Sequence, residues 1–193
     1  MPPHIVLGNM TIHTLLSPVL LLFIFAGTAC AQDAGEETIT WSPARKLTWS
    51  DYKGTPNPSS DAAASTATYL GLTYNIRNNQ FTYEITCLFS QTKSWGRHKN
   101  DHILAHEQGH FDIAEIHARK LYKAMKQYAY NEKTFRQKVG KIYQDITREK
   151  EIMQAQYDQE TNHSINKEQQ AVWQEKIAKL LEEYADHAGY RQP

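Results

Sequence analysis

Asn100-Asp101-His102-Ile103-Leu104-Ala105-His106-Glu107-Gln108-Gly109-His110-Phe111-Asp112 opens the part of the chain in which apolar residues recur every three or four positions. Leu104, Glu107, Phe111, Ala114, Ala118, Leu121, Tyr122 and Met125 follow that rhythm. The spacing predicts a helix from about Asn100, with Asn100 or Asp101 as its cap. Residues four apart on a helix share a face, so His106 and His110 can reach one metal ion while Glu107 lies beside it. Glu107 also falls near the middle of the apolar stripe. A carboxylate there is costly to bury and calls for a polar cavity or a metal as its reason.

With nine histidines in 193 residues, an accidental HExxH arises with a chance on the order of a few per cent, so the surroundings decide its meaning. Upstream, Thr66 to Ile76 and Phe81 to Phe89 are rich in β-branched and aromatic residues, and Asn78-Asn79 lies between them. This predicts a β-hairpin. Residues 32 to 65 carry Pro43, Gly54, Pro56, Pro58 and a Ser/Ala-rich patch, and read as extended segments and loops. Downstream, Phe135, Val139, Ile142, Ile146 and Met153 form the stripe of a second helix, about Thr134 to Tyr157. Asn162 to Asn166 break the pattern, and Val172, Trp173, Ile177, Leu180 and Leu181 mark a third helix. Strands first and helices after predict an α+β fold, a small antiparallel sheet packed on about three helices in the zincin-like manner.

Residues 1 to 31 contain no Asp, Glu, Lys or Arg, and Leu15 to Phe25 is an apolar run shorter than the roughly 20 residues a membrane span needs. Small residues follow, so 1–31 reads as a signal peptide and 32–193 as one exported domain, secreted or periplasmic. Ala29-Cys30-Ala31 fits the A-x-A cleavage rule, while Thr28-Ala29-Cys30 loosely resembles a lipoprotein box that would anchor Cys30 to lipid. Gly27 stands where that box prefers a Leu-like residue, which favours ordinary cleavage. Cys87 then has no intramolecular partner and reads as a small buried hydrophobe. The formal net charge of zero gives no support to nucleic-acid binding.

Catalytic zinc takes three protein ligands and leaves one position open. His117 lies about 10 Å along the helix from His110, too far to share an ion with it. Asp112 and Glu115 point to other faces. The third ligand therefore comes from downstream, where Glu149, Asp158 and His163 compete, and periodicity alone slightly favours Glu149.

Leu47 to Gly54, the Ala/Thr-rich segment before Tyr69, Ser94-Trp95, Leu104 to Asp112 and Tyr157-Asp158-Gln159-Glu160-Thr161-Asn162-His163, followed by Trp173, carry a resemblance. Over about Trp41 to Leu181 the chain resembles a bacterial domain family of unknown function described as predicted secreted zinc-dependent proteases. That family usually has Gly after the His of the last motif, where this chain has Ser164. The resemblance implies His163 as third zinc ligand, Asp158 and Glu160 as carboxylates orienting imidazoles, and Tyr157 as a hydrogen-bond donor to a developing oxyanion. The expected activity is that of an exported zinc metallopeptidase, in which Glu107 is the general base for zinc-activated water and a peptide or protein is the substrate. A free strand edge of the hairpin would suit an extended peptide. The competing readings are a non-catalytic zinc-binding envelope protein and a metal-free peptide-binding module.

Overall fold

The computed structural model describes residues 35–191; the expected signal peptide and Cys30 lie outside them. Five strands precede three long helices, in the α+β arrangement expected from the sequence. They are β1 (Thr38–Thr40), β2 (Ala64–Ser65), β3 (Thr68–Arg77), β4 (Gln80–Ser90) and β5 (Trp95–Gly96), then α1 (Asp101–Gln127), α2 (Phe135–Thr161) and α3 (Lys167–Glu183). A short 3-10 turn, Ala185–Arg191, follows α3.

β3 and β4 form the predicted hairpin, paired from Thr68 with Phe89 to Arg77 with Gln80. Its two-residue loop is Asn78-Asn79, with φ of 51° and 60°, the left-handed backbone that a tight hairpin turn requires and Asn tolerates. β1 adds to the far edge of β4, giving the antiparallel order β1-β4-β3. β2 and β5 make a separate two-stranded ladder. Thr38–Thr40 is β-branched throughout but only three residues long, and Ala64–Ser65 has little strand propensity, so pairing partners far along the chain decide the extended state of both.

Along β4, Ile85, Cys87 and Phe89 are buried on the inner face of the sheet, as the period of two dictates. They pack against Phe111, Ala114, Ala118, Leu121 and Met125 of α1. A second cluster, Ile113, Ile116, Tyr157, Trp173 and Ile177, lies among the three helices. α1 is therefore central, with the sheet on one side and α2 and α3 on the other. Each fully buried side chain such as Ile113 or Leu121 contributes roughly 1.5–3 kcal/mol by leaving water. The Asn100 side chain caps α1 by accepting from the Ile103 N–H at 2.9 Å. α2 ends where Asn162, His163 and Ser164 take φ of 49°, 51° and 72°, and Asn162 N–H returns to the carbonyl of Gln159 at 3.2 Å. That turn faces α1 from the side of the site.

Candidate metal centre

His106 and His110 stand one turn apart on α1, and α2 runs past them in the opposite direction. The register is set by two contacts: Asp158 meets His106, and Gln154 meets His110. Gln154 and Asp158 are also four residues apart, so two short faces meet squarely.

The result is a triangle of donor atoms. His106 Nε2 lies 3.1 Å from Asp158 Oδ1, His110 Nε2 lies 3.0 Å from the same oxygen, and the two imidazole nitrogens are 3.2 Å apart. A tetrahedral ion with bonds of about 2.0–2.1 Å holds neighbouring donors about 3.3 Å apart. Two imidazole nitrogens and one carboxylate oxygen at these separations therefore fit zinc. Gln154 Nε2 donates to the His110 carbonyl at 2.9 Å, and its Oε1 meets His110 Nδ1, which fixes the imidazole with Nε2 turned to the triangle.

The electrostatics agree. Burial works to raise the Asp158 carboxyl, but the two imidazoles outweigh it and hold the group well below the usual carboxylate range. Burial depresses His106. In His110 burial acts the same way, yet the hydrogen bond to Asp158 and the charges of Glu107 and Asp158 raise it. A bound cation would compete with protons for these three groups.

Glu107 is buried beside the triangle, and its Oε2 has no hydrogen-bond partner. It lines a cleft of about 430 Å³ together with His106, His110, Asp158, His163 and Ser65. The opposite wall is the chain from Ser60 to Thr68, with Trp95 behind it. A second cavity, of about 510 Å³, lies between α1 and α3 on the other side of α1 and holds no imidazole.

Gln108, Gly109 and Asp112 serve the fold. Gln108 Oε1 accepts the Leu47 N–H at 2.8 Å and its Nε2 donates to Asp112 at 2.9 Å. Asp112 also accepts from Trp41 Nε1 at 2.6 Å. Together they fasten the 41–47 segment to α1. Gly109 makes room for Tyr157: a Cβ there would lie 2.5 Å from the phenol oxygen. The Tyr157 ring stacks on His106 with centroids 4.4 Å apart, and its hydroxyl donates to the His106 carbonyl at 3.2 Å.

The other residues singled out in the sequence fall around this centre. His163 is at the rim, its side chain 70% exposed and its Nδ1 3.6 Å from Asp158 Oδ1. Tyr157 is fully buried behind His106 and does not line the cleft. Glu149 pairs with Lys120 at 3.2 Å, away from the triangle. Glu160 accepts from Trp173 Nε1 at 2.8 Å, tying α2 to α3. His117 is buried, with Nδ1 donating to the Ile113 carbonyl at 2.8 Å. Sequence reasoning missed Gln154 and the 60–66 wall. The spacing of four between Gln154 and Asp158, repeating that of His106 and His110, was the available signal for the first.

The chain thus combines an α+β fold with a helix whose two imidazoles converge on a carboxylate from the next helix. The chain belongs to DUF922, a family of bacterial proteins of unknown function, which it matches over residues 44–164. That span takes in the 41–54 segment from Ala44, the hairpin, the HExxH helix and the turn after Asp158. No curated protein and no solved structure matches the chain.

Proposed function

We propose that this protein is a zinc-dependent metallopeptidase of the cell exterior or envelope, with zinc held by His106, His110 and Asp158. The observation that carries the reading is the triangle of Nε2, Nε2 and Oδ1 atoms, 3.0–3.2 Å on each side, with Glu107 beside it, its buried Oε2 without a hydrogen-bond partner. Asp158 takes the place that resemblance gave to His163, because its oxygen lies between both imidazoles. When bound, zinc supplies Lewis acidity, which acidifies water and polarises a carbonyl.

The chain's own residues do the rest. Glu107 accepts the proton of the attacking water and passes it to the departing amine nitrogen. Gln154 holds the His110 ring, and Tyr157 holds His106 from behind; both are positioning residues. The cleft wall suits an extended polypeptide. The Ala63 carbonyl accepts from the N–H groups of Arg97 and His98 at 2.8 and 2.9 Å, and Ala64 and Ser65 face Gly96 and Trp95. Hydrogen-bonded pairs alternate along an antiparallel ladder, so the backbone groups of Ala64 turn to the opposite edge. A peptide adding there would lie against the donor triangle, in the role that the sequence gave to the hairpin.

The experiment is metal analysis joined to cleavage of a mixed peptide library. Wild type should carry near-stoichiometric zinc. Asp158→Ala should weaken its binding at least 100-fold, while His163→Ala and Glu149→Ala change it far less. Glu107→Gln should keep the metal and lose cleavage by about 10²-fold or more. A closed four-ligand site without cleavage would favour the structural-zinc reading, and no zinc in wild type would end both.

A further inference from the structure

Lys150 lies on α2, one turn before Gln154 and two turns before Asp158. Its side chain is 9% exposed, and it lines the same cleft as Glu107 and the donor triangle. It is the sole Lys or Arg among the described residues that line the cleft. Burying an ammonium is costly unless partners satisfy it. The partner present is Glu151, at 3.0 Å, whose own side chain is 64% exposed. Adjacent residues on a helix do not face each other, so Glu151 reaches round to Lys150 from the cleft rim. A pair with one wet member is a weak return for a nearly buried cation. The cleft also holds the Glu107 and Asp158 carboxylates, yet the ion pair Lys150 makes is with Glu151, and packing beside a wall of Ser, Ala and Thr backed by Trp95 gives no reason for a nearly buried ammonium there.

We propose that Lys150 binds a carboxylate of the substrate, with Glu151 standing in for that carboxylate until the substrate arrives. The proposal rests on the peptidase reading for the identity of the ligand as a peptide. Eight residues of helix separate Lys150 from Asp158, an axial distance of about 12 Å. That is roughly three to four residues of an extended peptide. The carboxylate is therefore an Asp or Glu side chain, or a free C-terminus, about three residues from the bond above the metal. Both sources present the same two oxygens, and an ammonium accommodates either as a point charge.

The experiment is a binding measurement on the whole mature chain, by fluorescence anisotropy, with zinc added and again after chelation. Matched labelled peptides differ in one group: Asp against Asn at successive positions, or a free C-terminal carboxylate against the amide. Wild type should bind one acidic member about tenfold more tightly than its neutral match, and the pair showing the preference identifies the source. Lys150→Gln should bring that ratio close to one. Glu151→Gln, at an exposed position that tolerates change, should widen it. Equal binding of every matched pair by wild type overturns the proposal. So does a ratio unmoved in Glu151→Gln, even if Lys150→Gln fails to fold. A preserved ratio with no peptide ever cleaved overturns the peptidase reading instead and leaves Lys150 as a carboxylate site.

Discussion

Replacing Gly109 by Ala should leave this protein no more stable, or less stable by up to about 2 kcal/mol, although the same change in a helix interior normally stabilises by about 1 kcal/mol. The reversal comes from Tyr157. A Cβ at position 109 would sit 2.5 Å from the phenol oxygen and 2.8 and 2.9 Å from two ring carbons, far inside contact distance. Tyr157 is fully buried, so the ring cannot swing into water. It must push against His106 or Trp173, whose rings are 4.4 and 5.3 Å from its own. Overpacking of this kind costs about 1–3 kcal/mol, which exceeds or cancels the helix gain. The control is in the same molecule: Gly140, within α2, has nothing within 4 Å of an added Cβ. Gly140→Ala should raise Tm by about 2–4 °C, and Gly109→Ala should lower it or leave it unchanged. Calorimetry in chelator reads the packing effect, and a zinc titration of Gly109→Ala should show weaker binding, because displacement of Tyr157 disturbs His106. A Gly109→Ala protein as stabilised as Gly140→Ala, with unchanged zinc affinity, would refute the reasoning.

Ser164 occupies the left-handed region at φ 72°, where a Cβ costs about 1–2 kcal/mol; Ser164→Gly should raise the unfolding free energy in urea by about 1 kcal/mol, and a loss would show that its buried side chain matters more. Burial pushes His117 down to about 4 from an ordinary 6.5. Its neutral form therefore supports the fold fully above pH 6.5, and stability is lost as pH falls towards 4, by about 3 kcal/mol from this group. Urea melts of wild type and His117→Gln at pH 7.5 and 4.5 check this: the variant should show a shallower loss, and equal slopes would exclude His117 as the source.

The hairpin and the three helices were legible because each is announced locally, by Asn78-Asn79 between alternating strands and by stripes of period 3.6. β1 and the β2–β5 ladder were not, since two or three residues become strand only through partners far along the chain. Two members of the site, His106 and His110, follow from spacing within one helix. The third donor depends on the axial register of α1 against α2, and no single-helix pattern encodes it. Glu149 had the better periodicity, yet the meeting of His106 with Asp158 and His110 with Gln154 leaves Glu149 more than one turn beyond, beside Lys120. The Gly expected at position 164 also gains its reason in the structure: the turn after α2 runs through three successive left-handed residues.

Gln108, Gly109 and Asp112 lie within the seven residues that also hold the two imidazoles and the carboxylate, yet they fasten the 41–47 segment and admit Tyr157. On the proposed reading this stretch is constrained twice, once by chemistry and once by architecture. On that reading, a relative without the metal could replace His106, Glu107 and His110 freely while still being obliged to keep Gln108, Gly109 and Asp112. Among relatives, the two sets drifting apart would mark lineages in which the fold persists without the proposed site.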